Sequence, residues 1–302
     1  MITFLSGGAG TPRLVQSVRQ ILYDGEIAVV ANTADDLWIS GGYHAPDLET
    51  LLYLFAGILN TGTWQGIGGD TFSTHRYLKR AAGEEWLEIG DKERAVQIAR
   101  GEMLRSGVTA TEAARRQASA FGIEATILPM TDTGITTFVE TGEGAMHILE
   151  YCRAAPADPA IRRILRAGEE EPAATPEVLG AIAAADAVII GPSHPVQGIL
   201  PILDCAGVRE TLDGQLVIAV SPFRADKPVS PVDTALMRAA GVEPTASGVY
   251  SLYQDVADIF VQDLRDPDVV EGALRLDTRL WRGRNLDALA WDLMAVIRKA
   301  VS

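Results

Sequence analysis

The segment at residues 2–13, Ile-Thr-Phe-Leu-Ser-Gly-Gly-Ala-Gly-Thr-Pro-Arg, most constrains what this chain can fold into. An apolar run breaks into three glycines, Thr11 and Pro12 follow, and apolar residues then recur with helical spacing. This order predicts a buried strand, a tight glycine loop and a helix with Pro12 in its first turn, where a missing N–H costs nothing. Because glycines let a backbone approach a ligand and a helix start attracts anions, the loop predicts a nucleotide phosphate site. A strand, turn and helix without a ligand is the alternative.

The loop departs from the dinucleotide fingerprint at one position. That fingerprint is Gly-x-Gly-x-x-Gly, whereas the chain reads Gly8-Ala9-Gly10-Thr11-Pro12-Arg13. The third glycine normally permits close packing of helix on strand, whereas the guanidinium found here is matched to a phosphate. The sequence therefore favours a nucleotide other than a dinucleotide. A Walker loop is excluded because the chain contains no Gly-Lys-Ser or Gly-Lys-Thr.

Composition and charge narrow the function classes. The 302 residues suffice for one large domain or a domain with an insertion, and 47% hydrophobic residues are ordinary for a soluble globular chain. Apolar stretches are too short for a membrane span, and a net charge of −14 argues against nucleic acid as a partner. Two unpatterned cysteines and a start without a basic leader give the expectation of a cytoplasmic protein. The four histidines are scattered, which argues against a histidine-based metal site.

Alternation of apolar strands with helical segments predicts the fold class. Uniformly apolar strands, such as those expected at 27–32, 187–190 and 216–220, are typical of a mostly parallel sheet. We predict an α/β, Rossmann-like, doubly wound core formed by residues 1–44 and 124–302. Residues 45–123 turn helical and are expected to be an insertion that caps the active site. The stretch 153–176, rich in Ala, Pro and charge, is expected to be a surface excursion.

Four polar segments follow predicted strands and are expected to converge: Ser6–Arg13, Asn32–Asp36, Gly191–Pro195 and Ser221-Pro222. In open α/β sheets, ligands bind outside the carboxyl ends of the strands, near the topological switch point. The turn with Pro192, Ser193 and His194 offers donors suited to a base or a phosphate, although a proline-rich strand exit looks the same. His194 is either a general base or a hydrogen-bonded structural residue.

Carboxylates near the second strand indicate a metal. Asp47 and Glu49 open a helix, with Asp35 and Asp36 upstream. Mg²⁺ binds one or two carboxylates together with substrate phosphate oxygens, so a phosphate loop and a carboxylate pair in one chain indicate a magnesium site. Acidic residues in a first helical turn are also common dipole partners, so Asp47 as a helix cap is the alternative.

Three more residues carry a similar ambiguity. Asp70 and Asp91 each follow a glycine-containing turn and open a helix, so each is either a cap or a ligand. Trp64 lies in turn-like sequence, and its indole either stacks on a flat ring or closes the core.

Taken in order, these segments resemble 2-phospho-L-lactate transferase, the CofD family of deazaflavin (coenzyme F-420) biosynthesis. The matching segments run nearly the whole length: 6–13, 32–38, 46–50, 69–72, 90–91, 128–130, 191–193 and 221–222. The resemblance implies Mg²⁺-dependent transfer of a phospholactyl group, or its enolpyruvyl or glyceryl counterpart, from a GDP-linked donor. The acceptor would be the ribityl hydroxyl of 7,8-didemethyl-8-hydroxy-5-deazariboflavin, with GMP leaving. A homodimer is the expected assembly.

The resemblance also implies which residues serve the reaction. The two glycine-containing loops would hold the GDP part, and the turn at Glu88–Asp91 would help close the deazaflavin pocket. Asp47 and Glu49 would hold the metal, and Glu49 or Asp36 would orient or deprotonate the attacking hydroxyl, so these three are the expected catalytic residues. The expected substrate-binding residues are Gly7, Gly8, Gly10, Thr11, Arg13, Asn32, Asp35, Glu49, Trp64, Glu88, Gly90, Asp91, Pro192, Ser193, His194 and Ser221.

Three places depart from the family's pattern. The family commonly has Asp at position 49, Asn at 194 and Arg-Asp at 92–93, where this chain has Glu49, His194 and Lys92-Glu93. These changes bear on guanine contacts and on the three-carbon donor rather than on the reaction class. Two other functions stay open. Arg13 counts against an NAD(P)-dependent oxidoreductase, and the helical insertion counts against a non-catalytic sugar-nucleotide-binding regulator.

Overall fold

A computed structural model describes residues 1–83, 85–154, 160–224, 229–279 and 287–301. The strands are β1 (Ile2–Ser6), β2 (Ile27–Ala31), β3 (Leu37–Ile39), β4 (Gly42–His44), β5 (Thr126–Pro129), β6 (Ile135–Thr141), β7 (Gly144–His147), β8 (Arg163–Gly168), β9 (Ala187–Ile190), β10 (Val217–Val220), β11 (Ile259–Asp263) and β12 (Leu274–Leu276). The helices are α1 (Gly10–Val18), α2 (Pro46–Phe55), α3 (Ser73–Ala82), α4 (Asp91–Arg105), α5 (Ala110–Ala120), α6 (Ile148–Ala154), α7 (Pro176–Ala183), α8 (Leu200–Leu203), α9 (Val208–Leu212), α10 (Pro231–Ala239), α11 (Ala246–Tyr253) and α12 (Ala288–Val301).

Seven strands form one sheet in the order β12-β11-β10-β9-β1-β2-β5, and every neighbouring pair is parallel. From β1 the chain winds outward to β2 and β5, and later returns to β9 on the other side of β1. The strand order therefore reverses between β1 and β9, which is where ligands bind in such sheets. The predicted α/β doubly wound fold is confirmed.

Helices cover both faces of this sheet because its strands are apolar on both faces. Successive residues point to opposite sides. Phe4 and Val29 pack into a core with α1, α2, α5 and α12, whereas their neighbours Leu5 and Val30 pack into a second core with α7, α9 and α11. No helix in the described ranges combines the length and the apolarity that crossing a membrane requires.

The helical segment within 45–123 is joined closely to the sheet. Leu51 and Leu52 of α2 and Ala114 and Ala118 of α5 are buried in the same core as β1 and β2. The segment lies in the crossover between the neighbouring strands β2 and β5, and α3 and α4 extend from it. Ahead of it, β3 and β4 pair as a short antiparallel hairpin that the sequence did not predict.

The expected surface excursion at 153–176 contains a strand that the sequence did not predict, and residues 155–159 lie outside the described residues. Residues 163–168 form β8, which pairs antiparallel with β6 in a separate three-stranded sheet. Its partner is distant in sequence, and a cross-strand ion pair supports it, with 3.0 Å between Arg163 and Glu140. A half-exposed strand held by a remote partner leaves no local apolar pattern, which is why the sequence did not indicate this strand.

Candidate active site

A cavity of about 370 Å³ opens at the switch point between β1 and β9. Its walls come from the carboxyl ends of four strands, as predicted. The lining includes Gly7, Gly8, Ala9, Gly10 and Arg13 after β1, Asp35 after β2, Asp47 at the start of α2, Pro192, Ser193 and His194 after β9, and Ser221 and Arg224 after β10. Its size is in the range of small-ligand sites.

Direct contacts lock the two glycine-containing loops together. The backbone N–H of Gly7 donates to Ser193 Oγ at 3.1 Å, and the hydroxyls of Thr11 and Ser193 are 2.6 Å apart. A Cβ on Gly10 would lie 1.8 Å from the carbonyl oxygen of Pro192. Gly10 is therefore required for loop packing, which differs from the predicted reason, the approach of a ligand.

The N–H groups of this loop differ in what they meet. Gly7 and Gly8 donate to Ser193 and Asp47, respectively. Ala9 and Gly10 line the cavity at the start of α1, where the first N–H groups have no acceptor within the helix. The start of α1 therefore faces the cavity.

Asp47 joins the Gly loop to the end of β2. Its carboxylate accepts from the N–H of Gly8 at 2.5 Å and from Asn32 Nδ2 at 3.0 Å. The N-cap of α2 is Ala45, and Asp47 is the second helical residue, so the interpretation of Asp47 as the cap is wrong. Burial raises the pKa of Asp47 to about 6, although the bonds from Asn32 and Gly8 oppose that rise.

Asp35 and Asp36 bring two more buried carboxyls to this end of the sheet. Gln197 Nε2 donates to Asp35 Oδ2 at 2.8 Å, whereas Oδ1 of Asp35 and Oδ1 of Asp36 find no hydrogen-bond partner in the described part of the chain. Burial, and then the charge of Asp47, raise the pKa of Asp35 to about 8. Burial also raises the pKa of Asp36 well above its usual range. Burial thus raises the pKa of all three carboxyls at this end of the sheet.

Glu49 lies in a different network from Asp47. Its carboxylate pairs with Arg100 at 2.5 Å and with His44 Nδ1 at 3.1 Å, and it accepts from Gln97 Nε2 at 3.0 Å. Burial alone would raise the pKa of Glu49, but His44 and Arg100 outweigh it and lower the value to about 2. Glu49 is thus a buried ion-pair partner that ties α2 to α4 and β4, and the expected carboxylate pair with Asp47 is not formed.

His44, Glu49 and Glu93 bring ligand-type atoms within 4.8 Å of one another. Metal ligands can be arranged in this way, but the charge of Glu49 is already neutralised by its ion pair with Arg100. A dication there would lie next to a buried guanidinium, which is unfavourable at short range. We therefore assign the cluster to the ion-pair network.

Arg13 lies in the cavity wall with its guanidinium over the indole of Trp64, 5.1 Å from the ring centroid. Trp64 has a left-handed backbone, with φ of +60°, which is unusual for a non-glycine residue. Burial, and then the charge of Arg224, lower the pKa of Arg13. Trp64 thus contacts the guanidinium of Arg13 and packs against the core of the sheet.

His194 and Ser221 both organise turns in the cavity wall. His194 Nδ1 accepts from the N–H of Gln197 at 3.0 Å, which caps the π-helical turn Pro195–Ile199. Burial lowers the pKa of His194, so the ring is neutral at pH 7 with Nδ1 occupied. This contact favours the structural interpretation of His194 over the general base. Ser221 Oγ accepts from the N–H of Phe223 at 3.2 Å.

The turn at Glu88–Asp91 lies outside the cavity lining. Asp91 accepts from the N–H groups of Ser73 and Thr74 at the start of α3, and Asp70 accepts from those of Lys92 and Glu93 at the start of α4. A Cβ on Gly90 would lie 2.2 Å from Asp70 Oδ2. Asp70 and Asp91 are therefore reciprocal helix caps, and Glu88 is an exposed residue beside them.

Comparison with known proteins decides the family. The model of the family described as 2-phospho-L-lactate transferase CofD matches residues 2–275. The chain belongs to the CofD family. The 2-phospho-L-lactate transferase of Methanospirillum hungatei is 49% identical over 278 residues, 92% of this chain and 94% of that one. The enzyme of the same name from Methanocorpusculum labreanum is 47% identical over 299 residues, 98% of each chain.

A solved structure agrees with the fold of this CofD-family chain. A member of the UPF0052 family from Bacillus halodurans aligns with a TM-score of 0.60 and covers 97% of this chain and 98% of that one. At 14% sequence identity the likeness concerns the fold alone.

The cavity is also lined by residues that the sequence did not single out, among them Gln65, Leu149, Gln197 and Arg224. Arg224 lies two residues after the polar segment Ser221-Pro222 that follows β10, so extending that segment by two residues would have found it. Gln197 lies in a π-helical turn, which is frequent at functional sites but has no sequence signature.

Proposed function

We propose that this CofD-family enzyme transfers a 2-phospholactyl group, or a phosphoenolpyruvyl or phosphoglyceryl group, from a GDP-linked donor such as lactyl-diphospho-guanosine. The acceptor is the ribityl hydroxyl of 7,8-didemethyl-8-hydroxy-5-deazariboflavin, and GMP is released as the coenzyme F-420 core forms. One observation carries the proposal: the switch-point cavity has a cationic, N–H-rich wall at Ala9–Arg13 and an acidic wall at Asp35 and Asp47. That polarity suits a diphosphate bound next to a metal and a hydroxyl nucleophile.

The donor's diphosphate is best accommodated between Ala9, Gly10 and Arg13. The N–H groups at the start of α1 and the guanidinium of Arg13 are both suited to phosphate oxygens. Thr11 and Ser193 support this wall through the bond between their hydroxyls, and Asn32 supports it through Asp47. The Pro192–His194 turn and Ser221 extend the cavity away from the phosphates, where the guanosine part would lie.

Mg²⁺ fits the acidic wall. Asp35 and Asp36 each have a buried oxygen that lacks a partner among the described residues, and Asp47 shares their environment. Asp47 and Asp35, which both line the cavity, would therefore hold the ion, whereas Glu49 is committed to Arg100. When bound, Mg²⁺ supplies neutralisation of phosphate charge and stabilisation of the leaving GMP.

The transfer is an in-line displacement at the phosphorus that carries the lactyl group. The ribityl oxygen forms a bond to that phosphorus, the bond to the bridging oxygen breaks, and GMP leaves with that oxygen. The hydroxyl proton passes to a carboxylate, for which Asp36 is better suited than Glu49. Burial raises the proton affinity of Asp36, whereas the low pKa of Glu49, about 2, makes it a poor base.

Two further parts of the proposal concern the acceptor and the assembly. The Glu88–Asp91 turn is proposed to close over the deazaflavin from the helical segment, next to the caps of α3 and α4. The enzyme is proposed to act as a homodimer, which light scattering of the eluted protein tests directly.

The reaction is tested by incubating the protein with Mg²⁺, the deazaflavin and each of the three GDP-linked donors in turn. We expect a product heavier than the deazaflavin by one phospho-acid group for at least one donor, and its mass identifies the donor. A deazaflavin that stays unmodified with all three donors would contradict the proposal.

A further inference from the structure

The side chain of Gln197 connects the acidic wall of the cavity to helix α6. Its Nε2 donates to Asp35 Oδ2 at 2.8 Å. Its Oε1 lies 3.8 Å from Sγ of Cys152, whose S–H is a weak donor. Both contacts require the same orientation of the amide, because a flipped amide would set its oxygen against an ionised Asp35. The amide therefore has one defined orientation between α6 and the loop after β2.

The backbone that carries Gln197 has little room to move. The N–H of Leu200 donates to the carbonyl of Pro195, which is the i to i+5 bond of the π-helical turn. A Cβ on Gly198 would lie 2.7 Å from the carbonyl oxygen of Gly7, so the turn packs directly on the Gly loop. This packing fixes the place from which the Gln197 side chain reaches the loop after β2.

We infer that Gln197 is a positioning residue, which holds Asp35 in place as a carboxylate ligand for a divalent cation. His194 acts through Gln197, because it caps the turn that presents the amide. The inference rests on the proposed function, and it assigns to these two residues the task of orienting a ligand of the cation without touching the cation.

A neutral donor suits this task better than a charged one. Glu49 is paired with Arg100, and that ion pair already neutralises its charge. An amide instead orients a carboxylate and leaves its negative charge for a cation. Oδ1 of Asp35 has no hydrogen-bond partner among the residues that the structure describes, so one oxygen remains for binding. Asn32 supports Asp47 in a similar way, through the bond of 3.0 Å from its Nδ2.

His194 links this arrangement to one of the departures from the family's pattern, which commonly has Asn at that position. His194 Nδ1 accepts from the N–H of Gln197 at 3.0 Å, as the side chain of an N-cap residue does. The side-chain oxygen of Asn makes the same contact in an N-cap, whereas Ala offers no acceptor. His and Asn should therefore be equivalent in supporting the turn, and Ala should not.

The test measures the binding of Mn²⁺ alone by electron paramagnetic resonance, in which free Mn²⁺ gives the sharp signal. Mn²⁺ prefers the same oxygen ligands as Mg²⁺. Gln197→Met keeps the length of the side chain and removes the donor. We expect it to bind Mn²⁺ roughly 10- to 100-fold more weakly than wild type, the usual effect of losing the partner of a metal ligand. Gln197→Asn, whose amide is one carbon too short, should also bind more weakly, and it serves if Gln197→Met does not fold.

Two comparisons separate positioning from general stability. Gln262→Met makes the same change at a buried glutamine of β11, whose Nε2 donates to the carbonyl of Asp268 at 2.8 Å and which is not part of the described cavity lining. It should lower the melting temperature and leave the Mn²⁺ affinity within about twofold of wild type, since distant sites act independently. His194→Ala should weaken Mn²⁺ binding, whereas His194→Asn should stay within about twofold of wild type because it keeps the cap.

The outcomes distinguish the inference from the proposed function. If wild type binds Mn²⁺ and Gln197→Met binds it equally well, the positioning role is contradicted and the proposed function is not. An equal loss of affinity in Gln262→Met would also contradict the positioning role, because the effect would then follow stability. An equal loss in His194→Asn and His194→Ala contradicts the part assigned to the cap. A wild-type protein that binds no Mn²⁺ contradicts the metal of the proposed function as well.

Discussion

At the scale of single residues, a substitution of Asp47 tests the proposed metal site. Its carboxylate joins the Gly loop to the end of β2 and lines the cavity. Asp47→Asn keeps the shape but removes the charge that Mg²⁺ requires. We expect activity to fall by at least about a hundredfold, or roughly 2.7 kcal/mol of barrier, and half-maximal rate to need more Mg²⁺.

The free energy of unfolding of Asp47→Asn shows whether a loss of activity comes from a loss of stability. One hydrogen bond is altered, so the free energy of unfolding should change by about 1 kcal/mol. Melting temperature and Mg²⁺-dependent rate are measured on the same variant. A large loss of stability with a normal Mg²⁺ dependence would show that Asp47 only holds the loop, and would leave the metal to Asp35 and Asp36.

At the scale of elements, two glycines of one loop make a matched pair. Gly8 has a φ of +80° and open space around its missing Cβ, whereas a Cβ on Gly10 would meet the Pro192 carbonyl at 1.8 Å. Gly8→Ala should cost about 1–2 kcal/mol of backbone strain. Gly10→Ala should cost more than about 3 kcal/mol, because two backbone segments must separate. Urea unfolding compares the two variants, and equal costs would contradict the packing assigned to Gly10.

The ion-pair network between α2 and α4 gives a second matched pair. Glu49→Gln leaves the buried Arg100 without its partner, which should destabilise the protein by about 3–5 kcal/mol. Burial, and then the charge of Glu49, raise the pKa of the neighbouring Glu93 to about 7, so Glu93→Gln replaces a half-protonated carboxyl and should cost far less. Thermal unfolding at pH 7 measures both. If the two variants lost equal stability, and only in the presence of a divalent cation, the cluster would be a metal site.

At the scale of the whole molecule, the acidic wall couples stability to pH and to Mg²⁺. The pKa of Asp35 is raised to about 8 and that of Asp47 to about 6, while unfolded carboxyls titrate near pH 4. These two carboxyls thus hold more protons in the folded protein than in the unfolded chain, so their contribution to stability without metal should fall as pH rises from about 4 to about 8.

Mg²⁺ should reverse that trend, since it binds the ionised carboxylates. We expect the rise in melting temperature on adding Mg²⁺ to be small at pH 5 and larger at pH 8. Calorimetric scans at both values, with and without Mg²⁺, measure it. A rise of the same size at both pH values would indicate that the ion binds elsewhere.

The sequence predicted the parts of this molecule that depend on the pattern of apolar, glycine and polar residues along a short stretch of chain. The apolar strands predicted the parallel sheet. The expectation that polar segments converge at the carboxyl ends of the strands predicted that the Gly loop lies beside Ser193. The parts it missed depend on long-range contacts: β8 needs β6, Gly10 needs Pro192, and Glu49 turns to Arg100 rather than to Asp47. Two carboxylates in one helical turn do not reveal which neighbours each will meet.

The proposed function requires that the crevice between β1 and β9 receive the GDP part of the donor. A crystal structure of the complex with GDP is the sharpest test. We expect the diphosphate to lie against Ala9, Gly10 and Arg13, with the guanosine along the turn at Ser193. GDP bound elsewhere, with this crevice empty, would contradict it.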